Sequence, residues 1–385
     1  MRVVVLNGPN LDLLGSREPE VYGTTTLSAL QAQIADWARK LGIETVFAQS
    51  NHEGDLIEAI HDAATSDGIV INPGALTHTS RAIGDAVRSV GVPTVEVHIS
   101  NVKERDPWRA ISLLSDACVR TIYGRGFPGY RDALRHLANR AAMPMLIRRY
   151  GPHPDNLADL RMPDTVPSGL AVLIHGGFWL RQYERDSMET MAVDLAGRGI
   201  ATLNVEYRRL GTGGGWPGSS QDVQTALRWK SSHPDLTGLA TAIIGHSAGG
   251  HLTAMLMCAL FPAFDRALPK DLWKGGLAIS GLYDLRPLLS VDWLNGDLRL
   301  DAQSALKLSP AFMPRATRAP VMTCVGGGES SEFLRQNALL GSRWRAGFAG
   351  DIPMPGKHHF SVMDGLADPK SALFAGARRL MKLDR

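Results

Sequence analysis

A serine in a glycine-bounded turn is the first group in this sequence whose surroundings suggest chemistry. The segment GHSAGG places Ser247 in a G-x-S-x-G pattern between an apolar run and a helix-like run. Glycines permit the tight strand-to-helix turn that exposes a serine hydroxyl, and an acid and a histidine should then follow along the chain. Glu329 and His359 follow in that order. We expect Ser247, His359 and Glu329 to be nucleophile, base and orienting carboxylate, with Asp284 and Glu332 as alternative acids.

A pair of glycines upstream of this serine is placed to supply hydrogen-bond donors. The segment HGGFW follows an apolar run and contains Gly176 and Gly177. Acyl transfer needs donors aimed at the developing oxyanion, and the N–H groups of Gly176 or Gly177 together with that of Ala248 are candidates. A plain glycine turn is the alternative interpretation. We expect the rings of Phe178 and Trp179 to form an apolar wall for the acyl or leaving group.

Polar side chains follow several apolar runs in the first 140 residues. Any one of them could be a capping or turn residue, but the ends of parallel strands meet at one edge of a sheet, where such sheets bind ligands. The residues in question are Asn7, Asn10, Asn51, His52, Asn72, His78, Glu96, His98 and Ser100.

A tyrosine and an arginine lie in a polar segment after the first apolar run, LLGSREPEVYGTTT. A neighbouring guanidinium favours the phenolate form of a tyrosine, so Tyr22 beside Arg17 could remove a proton. A surface contact without function is the alternative for such a pair.

The elements that position these groups alternate between strand and helix. Five apolar runs, RVVVLN, ETVFAQ, GIVINPG, PTVEVHIS and CVRTIYG, are separated by segments with helical spacing, which predicts a doubly wound parallel sheet. The second half shows the same alternation around GLAVLI, GIATLNV and LATAIIG. The whole chain is therefore expected to be α/β.

Four motifs in the first half resemble, in order and spacing, the type II 3-dehydroquinate dehydratases. They are LNGPNLDLLGSREPEVYG, QSNHEGDLIEAIHDA, INPGALTHTS and EVHISNVKERDPWR, within residues 1–141. The resemblance implies a flavodoxin-like fold, a dodecamer, and elimination of water from 3-dehydroquinate through an enolate without a cofactor. It further implies that Tyr22 is the base, Arg17 lowers the pKa of Tyr22, and His78 is the acid. Glu96 would orient a catalytic histidine, and Asn10 would hold the water that stabilises the enolate.

The same resemblance assigns the groups that bind the substrate. They are Asn72, His98, Arg109 and the backbone amides of Ile99 and Ser100. Asp85 would reach the site of a neighbouring subunit.

The second half resembles the α/β hydrolases of the kynurenine formamidase type over about residues 146–385. The motifs are HGGFW, GHSAGG, SGLYDLRPL, LSP and GGGESSEF followed by HHF. This resemblance implies an arylformamide or ester substrate, such as N-formylkynurenine. Two alternatives stay open: cleavage of quinate- or shikimate-type esters, and one half that serves only as an assembly scaffold.

Composition and the positions of prolines and glycines set the remaining expectations. The chain has 385 residues and a formal net charge of +3 with scattered arginines, which predicts no nucleic-acid partner. Three widely spaced cysteines predict no disulfide framework, and no apolar stretch approaches the ~20 residues that a membrane span needs. No histidine spacing matches a metal motif, so we expect no metal. The proline- and glycine-rich segment 145–169 predicts a linker with entry strands between domains 1–144 and 145–385. A cytoplasmic location is expected.

Overall fold

The computed structural model describes most of the chain, and the chain folds as two compact units. The described residues are 1–18, 23–102, 107–259 and 272–383. The units are Met1–Ala142 and Met143–Arg385. Among the described residues no helix combines the length and the apolar character that crossing a bilayer requires.

The first unit is built on a five-stranded parallel sheet in the order β2-β1-β3-β4-β5. Its strands are β1 Arg2–Asn7, β2 Glu44–Gln49, β3 Gly68–Asn72, β4 Thr94–His98 and β5 Arg120–Tyr123. This confirms the doubly wound sheet, because every predicted apolar run contains one of the strands. The order changes direction between β1 and β3, and ligands bind at the carboxyl ends of strands at such a point.

Helices connect these strands and cover the sheet. They are α1 Leu27–Lys40, α2 Glu53–Asp62, α3 Arg81–Val90 and α4 Pro128–Ala142. Helix α3 shows how the sequence sets the ends of a helix: the Ser80 hydroxyl accepts the Ile83 N–H, and Gly91 ends the helix at φ 66°. A positive φ at this position favours glycine.

The second unit is built on an eight-stranded mixed sheet in the order β13-β12-β11-β10-β8-β9-β7-β6. Its strands are β6 Leu146–Arg149, β7 Leu157–Arg161, β8 Gly169–Ile174, β9 Ile200–Val205, β10 Thr241–His246, β11 Gly275–Ile279, β12 Val321–Gly326 and β13 Phe348–Met354. The pairs β6–β7 and β7–β9 are antiparallel, and the other pairs are parallel.

Eight described helices accompany this sheet. They are α5 Glu189–Ala196, α6 Gly218–Ser232, α7 Ala248–Met257, α8 Asp292–Leu298, α9 Ala302–Lys307, α10 Ser331–Arg343, α11 Asp364–Ala367 and α12 Ala372–Leu380. The central strands β8, β9 and β10 are buried throughout, as expected for parallel strands covered on both faces.

The proline-rich segment between the two sequence halves contains regular structure. Helix α4 ends at Ala142 and β6 begins at Leu146, so β6 and β7 both fall within residues 145–169. These are the entry strands of the second sheet, and they form its antiparallel edge.

Candidate active sites

A cavity of about 210 Å³ lies at the carboxyl ends of the strands of the first unit. It brings together residues that follow β1, β3 and β4, as the topology requires. Its lining consists of Pro9, Asn10, Leu11, Arg17, Asn72, Gly74, Ala75, His78, His98, Ile99, Ser100, Val102 and Arg109.

The amide of Asn72 is held from behind by a buried tyrosine. Asn72 Nδ2 donates to the hydroxyl of Tyr130 at 3.0 Å, and that hydroxyl donates to Asn7 Oδ1 at 2.7 Å. Asn72 Oδ1 accepts the Gly74 N–H at 3.2 Å. All three side chains are buried, so these bonds fix the Asn72 amide at the cavity wall.

Glu96 holds His98, and not His78. Glu96 Oε1 lies 2.8 Å from His98 Nε2, because residues two apart on β4 face the same side of the sheet. The carboxylate also accepts hydrogen bonds from Thr77, Ser112 and Thr121. Burial alone would raise the pKa of Glu96, but the bond from His98 and the hydroxyl bonds outweigh burial and lower it. The oriented histidine is thus the one that the family resemblance assigns to substrate binding.

His78 is oriented by a backbone carbonyl and a tryptophan ring. Its Nδ1 lies 2.6 Å from the Ile111 backbone oxygen. A carbonyl oxygen can only accept a hydrogen bond, so Nδ1 carries a proton and Nε2 is the nitrogen that can exchange a proton with a ligand. The ring contacts Trp108 edge-on, with centroids 5.1 Å apart. Burial lowers the pKa of His78, an effect that the carbonyl bond only partly offsets.

Arginines supply the positive charge of this cavity. The Arg109 guanidinium lies over the Trp108 ring at 4.1 Å from its centroid, and Arg17 pairs with Glu18 at 3.1 Å. Ile99 and Ser100 follow directly on β4 and also line the cavity. An anionic substrate in this cavity would therefore meet guanidinium groups.

Three further predicted residues of this unit differ in where they lie relative to the cavity. Tyr22 lies outside the described residues. Asn10 lies at the cavity in a left-handed conformation, φ 65°, with its N–H bonded to Asn51 Oδ1 at 2.8 Å. Asp85 is exposed on α3 and is not among the residues that line the cavity.

Ser247 sits in a strained turn between β10 and α7. Its backbone angles are φ 55° and ψ −117°, and its N–H donates to the Ile279 oxygen at 2.8 Å. The flanking glycines are required, since a Cβ on Gly245 would lie 2.1 Å from the Gly249 oxygen and a Cβ on Gly249 would lie 2.0 Å from the Ile174 oxygen. The G-x-S-x-G segment therefore has the geometry of a nucleophile elbow.

Of the three candidate carboxylates, Glu329 is the one bonded to His359. Its Oε2 lies 2.7 Å from His359 Nδ1. Its Oε1 accepts the Ser280 hydroxyl at 2.5 Å and the Gly326 N–H at 2.8 Å. Burial alone would raise the pKa of Glu329, but these three bonds outweigh it and lower the pKa.

The two alternative acids are bonded elsewhere. Asp284 pairs with Arg286 at 2.9 Å and with Arg335 at 3.4 Å. Glu332 pairs with Arg335 at 2.7 Å and accepts a bond from Gln336.

A second histidine links the serine turn to the segment that carries His359. His246 is buried, and its Nε2 donates to the His359 backbone oxygen at 2.7 Å, with ring centroids 4.7 Å apart. Burial, and to a smaller extent the charge of the nearby His359, lowers the pKa of His246 to about 4. The neutral ring therefore acts as a fixed donor. The sequence motifs do not identify this residue as functional, although its position next to Ser247 is an available signal.

The HGG turn lies against Ser247, but the two aromatic side chains that follow the turn have different surroundings. A Cβ on Gly176 would lie 2.9 Å from the Ser247 Cβ, and Gly177 has φ 98°. Phe178 is half-buried and contacts Trp293 edge-on at 6.0 Å. Trp179 is 1% exposed and belongs to the core cluster that includes Ile174 and Ala248. The expectation that Trp179 forms a substrate wall is therefore wrong, because consecutive positive-φ residues turn its ring inward.

Further aromatic rings surround His359. Phe333, in the first turn of α10, lies 4.3 Å from the His359 ring, and Phe360 lies 5.4 Å from it and is 73% exposed. Trp293, on α8, contacts Phe178 and is 66% exposed. Phe360 and Trp293 are therefore aromatic rings that a ligand in solution can reach.

Two arginines follow the HGG turn; Arg181 is exposed, and Arg185 is engaged within the protein. Arg185 Nε donates to Asp159 at 2.9 Å, and the Arg185 N–H donates to Glu206 at 3.0 Å. In the part of the chain that the structure describes, no group of three His, Cys, Asp or Glu side chains is arranged to hold a metal ion.

Comparison with known proteins separates the same two regions. The family model Dehydroquinase class II matches residues 1–138, and the model BD-FAE matches residues 159–269. A 3-dehydroquinate dehydratase of Corynebacterium efficiens is 52% identical over 143 residues, which is 36% of this chain and 99% of that protein.

Solved structures match the second unit. A protein of Silicibacter sp. TM1040, provisionally described as a thioesterase, has 31% identity and a TM-score of 0.54, covering 62% of this chain and 87% of its own. Esterase B of Lactobacillus rhamnosis, at 20% identity and a TM-score of 0.52, covers 65% of this chain and 92% of its own, and shows the shared fold alone.

Proposed function

The chain belongs to the dehydroquinase class II family through residues 1–138, and from this premise we propose that it is a bifunctional enzyme. The first unit dehydrates 3-dehydroquinate to 3-dehydroshikimate. The second unit, an esterase-like α/β hydrolase, is a serine hydrolase that acts on an arylformamide or aryl ester. The observation that carries the first assignment is the cavity that joins His78, His98 and Arg109 at the strand ends of the parallel sheet.

The dehydration proceeds through an enolate. Tyr22, kept as a phenolate by Arg17, removes a proton from the carbon next to the ketone, and a water held by Asn10 stabilises the enolate oxygen. His78 then gives the proton on Nε2 to the departing hydroxyl, which leaves as water while the double bond forms. Burial lowers the pKa of His78, so its protonated form is a stronger proton donor.

The substrate is held by groups that the same cavity presents. Asn72 and His98 bind hydroxyls, and both are fixed from behind, by Tyr130 and by Glu96. Arg109 and the amides of Ile99 and Ser100 bind the carboxylate. Asp85, exposed on α3, contacts a neighbouring subunit in a dodecamer.

The hydrolase reaction uses Ser247, His359 and Glu329. Glu329 accepts the Nδ1–H of His359 and leaves Nε2 to take the proton of the Ser247 hydroxyl as it attacks the acyl carbon. The amides of Gly176, Gly177 and Ala248 stabilise the oxyanion. Collapse of the tetrahedral intermediate releases the amine or alcohol, and water then hydrolyses the acyl-enzyme.

The aromatic surroundings favour an aryl substrate. Phe178 and Trp293 form one edge-on pair, and Phe333 and Phe360 flank His359. Charge does not discriminate between the candidates, because N-formylkynurenine and a quinate-type acid both carry a carboxylate for which the exposed Arg181 is a candidate partner. N-formylkynurenine and aryl acetates are therefore the first substrates to test.

Side-by-side kinetics test the proposal. We expect dehydration of 3-dehydroquinate by the purified chain, and a higher kcat/KM for N-formylkynurenine and 4-nitrophenyl acetate than for chlorogenate or phenyl thioacetate. A preference for chlorogenate would replace the aryl assignment by a quinate-ester one. An inactive first or second site in the folded chain would indicate an assembly scaffold.

A variant pair isolates the aromatic contribution. Replacement Trp293→Leu is expected to lower kcat/KM for aryl substrates about two- to tenfold, since aromatic pairs contribute about 0.5–1.5 kcal/mol, and to leave vinyl acetate nearly unchanged. Val166, which is 91% exposed and precedes β8, provides the control Val166→Ala. Equal losses for aryl and vinyl esters would argue against an aryl subsite.

A further inference from the structure

A buried hydrogen-bond network lies behind the HGG turn of the second unit. It joins the ends of β8 and β9, and its members His175, Glu206 and Tyr207 are each no more than 2% exposed. The His175 and Tyr207 rings are stacked, with centroids 4.3 Å apart and planes at 13°. The triad of Ser247, His359 and Glu329 does not include any of these residues.

Two carbonyl groups of the turn are fixed by this network. The Tyr207 hydroxyl donates to the His175 oxygen at 3.0 Å, and His175 Nδ1 lies 2.9 Å from the Gly176 oxygen. His175 is held in turn by Glu206, whose Oε1 lies 2.9 Å from Nε2.

A trans peptide is planar, so its N–H points opposite to its C=O. Fixing the His175 carbonyl toward Tyr207 therefore turns the Gly176 N–H away from the network, and fixing the Gly176 carbonyl does the same for the Gly177 N–H. Among the residues that the structure describes, neither N–H donates to a backbone or side-chain acceptor. Gly176 lies against Ser247, since a Cβ added to this glycine would approach the Ser247 Cβ within 2.9 Å.

We propose that Tyr207, His175 and Glu206 are positioning residues that aim the Gly176 and Gly177 amides at the oxyanion of the Ser247 reaction. The inference rests on the proposed serine hydrolase function. Tyr207 fixes the first amide and His175 the second, while Glu206 fixes the ring of His175. None of the three touches the substrate, so each acts through the backbone of the turn.

The glutamate is held as firmly as the histidine. Besides His175, it accepts the Tyr207 N–H at 3.0 Å and the Arg185 N–H at 3.0 Å, and Arg209 Nε lies 3.4 Å from its Oε1. A carboxylate with this many donors cannot rotate independently, which makes it a rigid anchor for the His175 ring.

The test compares two buried tyrosines that each donate to a main-chain carbonyl. Tyr207→Phe removes only the hydroxyl that holds the His175 oxygen. Tyr150→Phe is the matched control. The Tyr150 hydroxyl also donates to a backbone oxygen, that of Glu206 at 2.6 Å, and it bonds neither carbonyl group of the HGG turn. Loss of a whole oxyanion donor costs about 10²–10³-fold in kcat, so misdirecting one should cost roughly tenfold.

We expect Tyr207→Phe to lower kcat for 4-nitrophenyl acetate roughly tenfold and to weaken inhibition by a phenyl trifluoromethyl ketone, which forms an oxyanion on Ser247, by a similar factor. Competitive inhibition by 4-nitrophenol, which forms no oxyanion, should not change. Tyr150→Phe should leave all three quantities within about twofold. Parallel loss of 4-nitrophenol binding, or equal effects in both variants, would overturn the proposal.

A second variant covers the case in which Tyr207→Phe does not fold. Glu206→Gln changes the anchor of His175 at the other end of the network and should give the same split between the ketone and 4-nitrophenol. An unchanged affinity for the ketone in this variant would also overturn the proposal. A wild-type chain without esterase activity would instead refute the underlying hydrolase function, so the two failures are distinguishable.

Discussion

The replacement Glu329→Gln tests the triad most directly, because the structure dictates how the new amide must sit. Glu329 Oε1 faces two donors, the Gly326 N–H at 2.8 Å and the Ser280 hydroxyl at 2.5 Å, whereas Oε2 faces only His359 Nδ1 at 2.7 Å. A backbone N–H cannot become an acceptor. The glutamine oxygen must therefore take the Oε1 place, and its NH₂ must face His359.

This orientation puts His359 in the wrong tautomer. With a donor opposite Nδ1, the ring proton moves to Nε2, which can then no longer accept the Ser247 proton. Reversing the amide would restore the tautomer but would leave the Gly326 N–H facing a donor, which costs about 2 kcal/mol. The missing negative charge near the imidazolium costs about 4 kcal/mol more at an effective dielectric constant of about 20. The two costs correspond to a loss of roughly 10⁴-fold in kcat.

Steady-state hydrolysis of 4-nitrophenyl acetate measures this loss, with KM expected to change little. Asp284→Asn and Glu332→Gln are the matched controls, since each also exchanges a carboxylate for an amide but lies in ion pairs with arginines. Both should keep kcat within about threefold. A Glu329→Gln enzyme with more than a tenth of wild-type activity, or a comparable loss in either control, would refute the reasoning.

The remaining predictions concern both units. Tyr22→Phe should abolish dehydration, by at least about 100-fold, with 3-dehydroquinate binding nearly unchanged, because the ring stays and the base is lost; more than a tenth of the wild-type rate would contradict the role of Tyr22. Ser247→Ala should remove hydrolysis and leave dehydration intact, since each unit has its own core; loss of both activities in the folded variant would argue against independent sites. Light scattering should give the mass of a dodecamer, and a monomer or dimer would contradict that assembly. Burial lowers the pKa of His246 and of His251 from 6.5 to about 4. The unfolded chain therefore binds these protons more readily, and the second unit should lose about 2 kcal/mol of stability per histidine at pH 5 relative to pH 7; denaturant titrations with equal stability at both values would contradict this.

The sequence predicts the first unit well because local pattern and topology agree there. Each apolar run is a strand, and polar residues at strand ends such as Asn72 and His98 line the same cavity. It does not predict Tyr130, which lies on α4 and reaches Asn72 across 58 residues of chain. A tyrosine that supports an amide from behind has no local pattern, since only tertiary packing brings the two together.

Two outcomes depend on the direction of a side chain, namely the error on Trp179 and the identity of the histidine that Glu96 holds. Trp179 follows Gly177 and Phe178, and the sequence does not encode that three consecutive residues with positive φ turn its ring into the core. Glu96 was expected to orient a catalytic histidine, and its partner is His98 because strand residues two apart share a face. The second case was predictable from strand periodicity alone, whereas the first required the turn geometry.

The same pair of residue types, a buried carboxylate and a histidine, occurs at three places in the part of the chain that the structure describes. The pairs are Glu96–His98, Glu206–His175 and Glu329–His359, with oxygen-to-nitrogen distances of 2.8, 2.9 and 2.7 Å. In each pair burial alone would raise the pKa of the carboxyl group, but hydrogen bonds outweigh burial and lower it, so the glutamate stays charged and fixes the ring. The function then depends on what the rest of the ring faces. The His98 ring lines the cavity of the first unit, His175 faces the Gly176 carbonyl oxygen, and His359 is proposed to face the nucleophile. A carboxylate-to-amide change should accordingly impair substrate binding in the first pair, oxyanion stabilisation in the second and proton transfer in the third.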